Sequence, residues 1–312
     1  MVFLPCFMGH DGGSCNVTND AFCYGDVRAV NGLSFEVYEG ELFGLLGPNG
    51  AGKTTSIRII MDIFKPDAGE VQVLGRPPGA AREQIGYLPE ERGLYPDLRV
   101  MEALVYLAEL KGVGRATATR NATRWLERIE LSEWAHHRVK DLSRGMHQKL
   151  QIASTLVHDP SLLILDEPFQ GLDPVNVDLI KRLVRDLQSE GKTIVLSAHQ
   201  MNLVEALCDR IVLIDDGQAV LYGDLAEIKR EHAPRAVQLR TPDRLNGLPG
   251  VARIESREGG YTLTLDGISP QGLLRMLVEQ GVQVLGFEVE TTPLEDIFIK
   301  VVRERDAKGL GR

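Results

Sequence analysis

The stretch GPNGAGKT, residues 47–54, decides the fold. It follows an apolar run at residues 42–46 and precedes a run with helical periodicity at residues 54–64. A strand, a glycine-rich loop and a helix in this order form a phosphate-binding loop, in which backbone N–H groups and the helix N-terminus bind a triphosphate. The predicted nucleotide-binding residues are Gly47, Pro48, Asn49, Gly50, Ala51, Gly52, Lys53, Thr54 and Thr55.

Two side chains of this loop have predicted roles of their own. The Lys53 ammonium reaches the β and γ phosphates, and the Thr54 hydroxyl is a ligand for Mg²⁺. The loop alone indicates nucleotide binding but not its purpose, because kinases, GTPases, recombinases and transporters all use it.

Short runs that are apolar at every position alternate with amphipathic stretches in the first 230 or so residues. Such runs are typical of strands buried on both faces of a parallel sheet, which predicts an α/β fold. The predicted strands are residues 42–46, 162–165, 193–196 and 210–214. The predicted helices are residues 54–64, 100–111, 116–129, 145–157, 175–190 and 202–207.

The pattern changes after residue 232, where His232-Ala233-Pro234 is typical of a linker. Shorter, alternating and turn-rich segments follow, which predict a small α+β domain. Its predicted strands are residues 237–240, 251–255, 261–265 and 282–290, and its predicted helices are residues 271–280 and 294–303. We therefore expect one domain over residues 1–232 and a second over residues 233–312.

A second group of chemical residues lies at SLLILDEP, residues 161–168. Open α/β sheets carry their chemistry at the carboxyl ends of strands, so Asp166 and Glu167 should emerge beside the phosphate-binding loop. Asp166 suits Mg²⁺ binding, and Glu167 suits a general base or a residue that orients the attacking water. The alternative is that Glu167 is an ordinary loop residue before Pro168.

Between these two groups lies LSRGMHQ, residues 142–148, which leads into a helix. A serine cap, a small residue and a helix N-terminus can together bind an anion. Taken alone, the segment is more typical of an ordinary capped helix.

The order of these segments resembles that of the ATP-binding cassette (ABC) family over residues 24–228. The resemblance identifies residues 47–54 as Walker A, 142–146 as the signature, 162–167 as Walker B, 171–173 as the D-loop, and Ser197-Ala198-His199 as the end of the switch strand. It implies a P-loop NTPase core with an antiparallel β subdomain, a helical subdomain at about residues 90–158, and ATPase activity.

The resemblance also implies a head-to-tail homodimer with ATP bound between Walker A of one subunit and the signature of the other. Ser143, Gly145 and Asp173 would then complete the ATP site, and Glu167, His199 and Lys53 would be its catalytic residues. Tyr24 falls where the family has an aromatic ring that stacks on adenine, with Phe22 as an alternative. The implied cofactor besides ATP is Mg²⁺.

The chain departs from the common pattern in three places. Arg144 and Met146 replace the third and fifth residues of an LSGGQ signature, and Glu90 replaces the Q-loop glutamine. A carboxylate is also an oxygen ligand for Mg²⁺, so Glu90 is a third candidate metal ligand beside Thr54 and Asp166. Residues 1–20 are atypical, because residues 9–19 are polar and turn-rich where the family has a strand; the segment is either divergent or wrongly started.

The run LPEERGLY, residues 88–95, together with LSRGM and the small second domain is similar to the sodium- and drug-exporting branch with ABC-2 type permeases. This resemblance implies separate membrane permease subunits as partners and a place at the inner face of the cell membrane. The alternative is a soluble ABC ATPase of translation or DNA repair, and a further one is a nucleotide-binding regulator with weak hydrolysis.

Composition limits the alternatives. The net charge of −9 argues against a nucleic-acid partner. No apolar run approaches the roughly 20 residues of a membrane span, and residues 1–8 lack the basic start of a secretory signal, which favours a cytoplasmic protein. The spacing of Cys6, Cys15 and Cys23 matches no usual zinc or redox pattern, so we expect reduced thiols.

Overall fold

The computed structural model describes residues 13–24, 27–90, 93–245 and 247–307. Its internal contacts divide the chain into two compact units, Met1–Leu225 and Ala226–Arg312.

The regular elements of both units are numbered in chain order. The strands are β1 (Gly13–Tyr24), β2 (Val27–Tyr38), β3 (Leu42–Leu46), β4 (Ala68–Val73), β5 (Ile85–Leu88), β6 (Leu162–Asp166), β7 (Thr193–Ala198), β8 (Arg210–Asp215), β9 (Gln218–Asp224), β10 (Ala236–Arg240), β11 (Val251–Arg257), β12 (Gly260–Leu265) and β13 (Gly286–Val289). The α-helices are α1 (Lys53–Ile60), α2 (Val100–Leu110), α3 (Arg115–Arg128), α4 (Arg144–Leu156), α5 (Pro174–Ser189), α6 (Met201–Glu205), α7 (Leu225–His232), α8 (Pro270–Glu279) and α9 (Leu294–Ala307).

The first unit is built on a six-stranded sheet in the order β5-β6-β7-β3-β8-β9. Its first five strands are parallel to their neighbours, and β9 runs antiparallel to β8. Every residue of β3, β6 and β7 is buried, as expected for strands covered on both faces. The predicted α/β class is therefore confirmed, and β7 lies between the strands that precede the two predicted catalytic segments.

A second, antiparallel sheet of the first unit has the order β2-β1-β4. The polar sequence of residues 9–19 shows no strand pattern, yet from Gly13 onward the chain forms β1. This strand pairs with β2 on one side and β4 on the other, and Cys15 and Val17 are buried. Pairing with β2, the next strand along the chain, and with the distant β4 determines this strand, and a local sequence pattern does not reveal it.

Helices α2, α3 and α4 form the helical part of the first unit. Their buried faces include Leu104 of α2, Trp125 of α3 and Leu150 of α4. These side chains give the helices a common apolar interior, as the predicted helical subdomain requires.

Helix α1 is shorter than the sequence predicts, since it ends at Ile60 rather than residue 64. Asp62 has a φ of 57°, and the N–H groups of Asp62 and Ile63 donate to the carbonyls of Ile59 and Arg58 at 2.9 and 2.8 Å. This is a Schellman C-cap with an aspartate in the left-handed position. Ile63 and Phe64 follow the cap and continue the apolar pattern of the helix, but their backbone is not helical.

The second unit contains an antiparallel sheet in the order β11-β12-β10-β13, with α8 among its helices. Its core includes Leu239, Leu263, Leu273 and Leu277. The predicted strand over residues 282–290 is wrong in its first half, because the Gln283 N–H donates to the Asp243 carboxylate at 2.7 Å and the strand is only Gly286–Val289. Helix α7, just before the predicted linker, was not predicted.

Among the described residues, no helix is both long and apolar enough to cross a membrane.

His158 lies just after α4 and is bound to β5. Its Nε2 is 3.2 Å from the Ile85 carbonyl, and its Nδ1 is buried with no hydrogen-bond partner in the described part of the chain. The Lys111 ammonium donates to the same carbonyl at 3.3 Å. Burial lowers the pKa of His158 from 6.5 to about 4, and the hydrogen bond to Ile85 opposes this shift.

This shift predicts a loss of stability in acid. Because the folded chain holds His158 neutral while the unfolded chain binds the proton, the free energy of unfolding should fall as the pH decreases from 6.5 to about 4. Urea unfolding of wild type and His158→Gln over this range should show a weaker pH dependence in the variant. Substitution of the exposed His136 by Gln is the control, and equal pH dependence in all three proteins would contradict the prediction.

Candidate functional site

The phosphate-binding loop begins where β3 ends and is folded around the Lys53 side chain. The Lys53 ammonium donates to the carbonyls of Gly47 at 2.7 Å and Pro48 at 3.1 Å, and Lys53 is 6% exposed. A buried ammonium whose hydrogen bonds go to neutral carbonyls keeps its charge available to attract an anion. These hydrogen bonds hold the loop around the Lys53 side chain.

Gly47 is required by the close approach of the neighbouring strand. Its φ is 149°, and a Cβ at this position would lie 2.2 Å from the Ile214 carbonyl oxygen of β8. The other end of the loop is tied down as well, since the Gly217 N–H donates to the Ala51 carbonyl at 3.0 Å. The turn between β8 and β9 thus fixes the loop from outside.

Asp166 ends β6 and is 1% exposed. Its Oδ1 accepts a hydrogen bond from the Ser197 hydroxyl, whereas its Oδ2 is buried without a partner among the described residues. Burial raises the pKa of Asp166, and the hydroxyls of Ser197 and Thr54 oppose the rise. A buried carboxylate oxygen with no partner and a threonine hydroxyl beside it suit a hard cation such as Mg²⁺.

Glu167 follows directly, with a backbone in the left-handed region at φ 49°. One carboxylate oxygen is 2.8 Å from His199 Nδ1, and the other is 3.7 Å from the Lys53 ammonium. Burial raises the pKa of Glu167, while the charges of His199 and Lys53 lower it. Glu167 therefore joins the two predicted catalytic residues Lys53 and His199 into one cluster.

Strand β7 supplies the residues between the two catalytic segments. Ser197 pairs with Asp166 in the sheet, and its hydroxyl accepts a hydrogen bond from the Glu167 N–H at 3.1 Å. The same hydroxyl donates to Asp166, so one side chain holds the Asp166 carboxylate and the Glu167 backbone. Ser197 had no predicted role of its own. The available sequence signal was a serine in a mostly apolar, buried strand.

A cavity of about 240 Å³ opens above the loop. It is lined by Asn49, Gly50, Gly52, Lys53, Thr54, Thr55, Glu90 and Glu167. The Glu90 carboxylate accepts a hydrogen bond from the Gln170 amide at 3.4 Å. The structure therefore brings the predicted Q-loop carboxylate to the phosphate-binding loop.

The oxygen ligands of this cavity do not form a metal site by themselves. Within the described ranges, no three acidic, histidine or cysteine side chains are close enough to hold an ion. Because Mg²⁺ usually combines one or two carboxylates with phosphate oxygens and water, Thr54, Asp166 and Glu90 fit an ion that arrives with a nucleotide.

The remaining predicted ATP-binding residues are not among those that line the cavity. Ser143 caps α4, with its hydroxyl accepting from the Met146 N–H at 3.3 Å, and both Ser143 and Gly145 precede or begin that helix. Asp173 caps α5 through the N–H groups of Val175 and Asn176, both at 3.0 Å. These hydrogen bonds lower the pKa of the Asp173 carboxyl group.

The predicted adenine-stacking residue Tyr24 is the last residue of β1, and its side chain lies outside the described part of the chain. The alternative, Phe22, stacks on Phe64 with ring centroids 5.1 Å apart and packs against the core. Phe22 is thus engaged inside the first unit.

Comparison with known proteins agrees with this geometry. The family model described as ABC transporter matches residues 30–170, and the model described as ATP-binding protein DrrA1-3-like, C-terminal domain, matches residues 223–302. A third model, described as AAA domain, putative AbiEii toxin, Type IV TA system, matches residues 137–205.

Two curated relatives and one solved structure are similar over most of the chain. ABC transporter ATP-binding protein YhaQ of Bacillus subtilis is 42% identical over 285 residues, covering 89% of this chain and 95% of that protein. Nod factor export ATP-binding protein I of Burkholderia orbicola is 36% identical, covering 89% and 93%.

The solved structure is titled "Dimeric Structure of MJ0796, a Bacterial ABC Transporter Cassette". It has a TM-score of 0.62 and 26% identity to this chain, and the match covers 68% of this chain and 98% of that one. Sequence, fold and site geometry agree that the chain belongs to the ABC transporter ATP-binding proteins, and that it is an ATP-hydrolysing subunit of this family.

Proposed function

We propose that this chain powers export through separate membrane permease subunits, by closing as a head-to-tail homodimer on ATP and opening after hydrolysis. In this account it lies in the cytoplasm at the inner face of the cell membrane, bound there through the permease. The main support for ATP hydrolysis, on which the proposal depends, is the convergence of Lys53, Glu167 and His199 beside the phosphate-binding loop.

Glu167 is placed to act on the attacking water. Its carboxylate contacts both a partly exposed histidine and the buried Lys53 ammonium, so it faces the space where a γ phosphate would lie. Burial keeps its pKa above the ordinary glutamate range, which favours proton acceptance near neutral pH. Attack of water forms the new phosphorus–oxygen bond, breaks the bond to ADP and transfers a water proton to Glu167.

Thr54, Asp166 and Glu90 are the proposed Mg²⁺ ligands. The unpartnered Asp166 Oδ2 supports this assignment. The ion would neutralise phosphate charge in a site that already holds two buried carboxylates.

The homodimer explains why Ser143 and Gly145 stand apart from the cavity. They begin α4 at a partly exposed surface, and a helix N-terminus of this kind binds phosphate oxygens. In a head-to-tail dimer they would face the γ phosphate held by the other subunit. ADP lacks that phosphate, so ATP would favour the closed dimer. The dimeric structure of the MJ0796 cassette supports the dimer itself.

A groove on the helical part of the first unit is the proposed permease site. It has a volume of about 540 Å³ and is lined by Tyr95, Leu98, Met101, Glu102, Val105, Tyr106, Glu109, Arg115 and Thr119. Tyr95 and Tyr106 remain 48% and 40% exposed. An apolar floor fits the apolar face of an amphipathic permease helix, and the groove follows Glu90 in the chain. Export is supported by the Nod factor export relative.

Substitution of Glu167 by Gln tests the proposed function. Because a general base contributes about 10²–10⁴-fold, steady-state ATP hydrolysis should fall by at least about 100-fold. The variant should also form a stable dimer in ATP and Mg²⁺, seen by size-exclusion chromatography with light scattering. Glu258→Gln, at an exposed turn of the second unit, is the matched control. Equal hydrolysis by wild type and Glu167→Gln would refute the assigned role.

Substitution of Ser197 by Ala tests whether its hydroxyl positions the Asp166 carboxylate and the Glu167 backbone. Loss of the hydroxyl leaves Asp166 Oδ1 and the Glu167 N–H each short of one partner, and a misplacement of about 1 Å can cost about 100-fold in rate. We expect kcat to fall by roughly 10- to 100-fold with the KM for ATP changed by less than about threefold. Ser189→Ala, at the exposed end of α5, should match wild type; a normal kcat for Ser197→Ala would contradict the prediction.

Substitution of Met101 by Glu tests the groove. The new charge would be buried against the permease helix without a partner, so copurification with the permease encoded beside this chain should be lost. Val278→Glu changes an exposed valine of the second unit in the same way and should copurify normally. Thermal unfolding of both variants checks that they are folded. Retention of the permease by Met101→Glu would exclude this groove as the permease site.

A further inference from the structure

One face of α4 is turned toward the loop that follows Glu167. Arg144 and Gln148 are four residues apart and therefore share this face. The buried Gln148 amide donates from Nε2 to the Pro168 carbonyl at 3.0 Å. Helix α4 thus holds the residue next to Glu167 by a direct hydrogen bond.

Arg144 holds the same loop at a second point. A Cβ added to Gly171 would lie 2.0 Å from Arg144 Nη2 and 2.7 Å from Cζ, so the guanidinium is packed directly on the glycine. Gly171 has a φ of 71°, a conformation that glycine adopts readily. The contact therefore depends on an arginine at one position and a glycine at the other.

The loop between these two points is tightly wound. The Gln170 N–H donates to the Glu167 carbonyl at 3.1 Å, and the Leu172 N–H donates to the Phe169 carbonyl at 3.3 Å. Successive turns of this kind transmit a displacement of Gly171 to the backbone of Glu167. The Glu167 carboxylate has a fixed place between His199 and Lys53, which such a displacement would disturb.

We infer that Arg144 and Gln148 are positioning residues for ATP hydrolysis, which fix the Glu167 backbone by holding the loop at Pro168 and Gly171 within one subunit. This inference rests on the role proposed for Glu167. It gives Arg144, a departure from the usual signature, a task inside its own subunit rather than at the nucleotide of the other.

The test uses two ways of breaking the same contact. Arg144→Ala removes the guanidinium, and Gly171→Ala displaces it by placing a methyl group in its position. Each should lower kcat by at least about tenfold, given the steep dependence of rate on geometry. Binding of a fluorescent ATP analogue to the single subunit should change by less than about threefold, because the phosphate-binding loop is untouched.

The double variant separates this contact from other effects. If Arg144 and Gly171 act through one contact, Arg144→Ala/Gly171→Ala should be no slower than the slower single variant. Gly191→Ala controls for backbone strain alone, since Gly191 has a φ of 86° with open space around its Cβ position. Gln148→Met, which keeps the shape but not the hydrogen bond, should lower kcat in the same manner.

Additive losses in the double variant, or wild-type kcat in Arg144→Ala or Gly171→Ala, would overturn the inference. Thermal unfolding midpoints confirm that each variant is folded. Glu167→Gln, measured beside them, separates the positioning role of Arg144 from the catalytic role proposed for Glu167. If Glu167→Gln is inactive while Arg144→Ala is normal, only the positioning role fails; if Glu167→Gln hydrolyses ATP normally, the proposed role of Glu167 fails.

Discussion

Charge balance at the edge of the six-stranded sheet governs this molecule. One buried ammonium, Lys53, faces two buried carboxylates, Asp166 and Glu167, and burial raises the pKa of both acids. A triphosphate adds further negative charge. It can bind only if N–H groups, a helix N-terminus and a divalent cation offset that charge together. The loop, the unpartnered Asp166 oxygen and the open cavity follow from this constraint.

The strand order brings the predicted catalytic residues together. Because β7 lies between β3 and β6, its last residues reach the space between the phosphate-binding loop and the two carboxylates. Ser197 thereby contacts both acids, and His199 contacts Glu167. Helix α4 contacts the loop that follows Glu167, where the Gln148 amide donates to the Pro168 carbonyl. The groups around Glu167 thus come from segments that are far apart in the chain.

Local sequence patterns predicted the elements whose structure depends on neighbouring residues in the chain. The fully apolar strands and the loop at Lys53 were placed correctly, because burial on both faces and the strand-loop-helix order leave a direct trace in the sequence. Strand β1 left no such trace, since it depends on pairing with β2 on one edge and with the distant β4 on the other rather than on an apolar pattern of its own. The early end of α1 depends on the conformation of Asp62, and the tasks of Ser197 and Gln148 depend on packing between elements. The roles of Ser143, Gly145 and Asp173 toward ATP stay predictions.

The proposed mechanism requires that two copies enclose each nucleotide from opposite sides. A structure of the full chain with Mg²⁺ and a non-hydrolysable ATP analogue measures this directly. We expect the γ phosphate to contact Lys53 of one copy and to lie within about 3 Å of the Ser143 hydroxyl of the other. A structure in which Ser143 meets no phosphate in any assembly of the chain would contradict it.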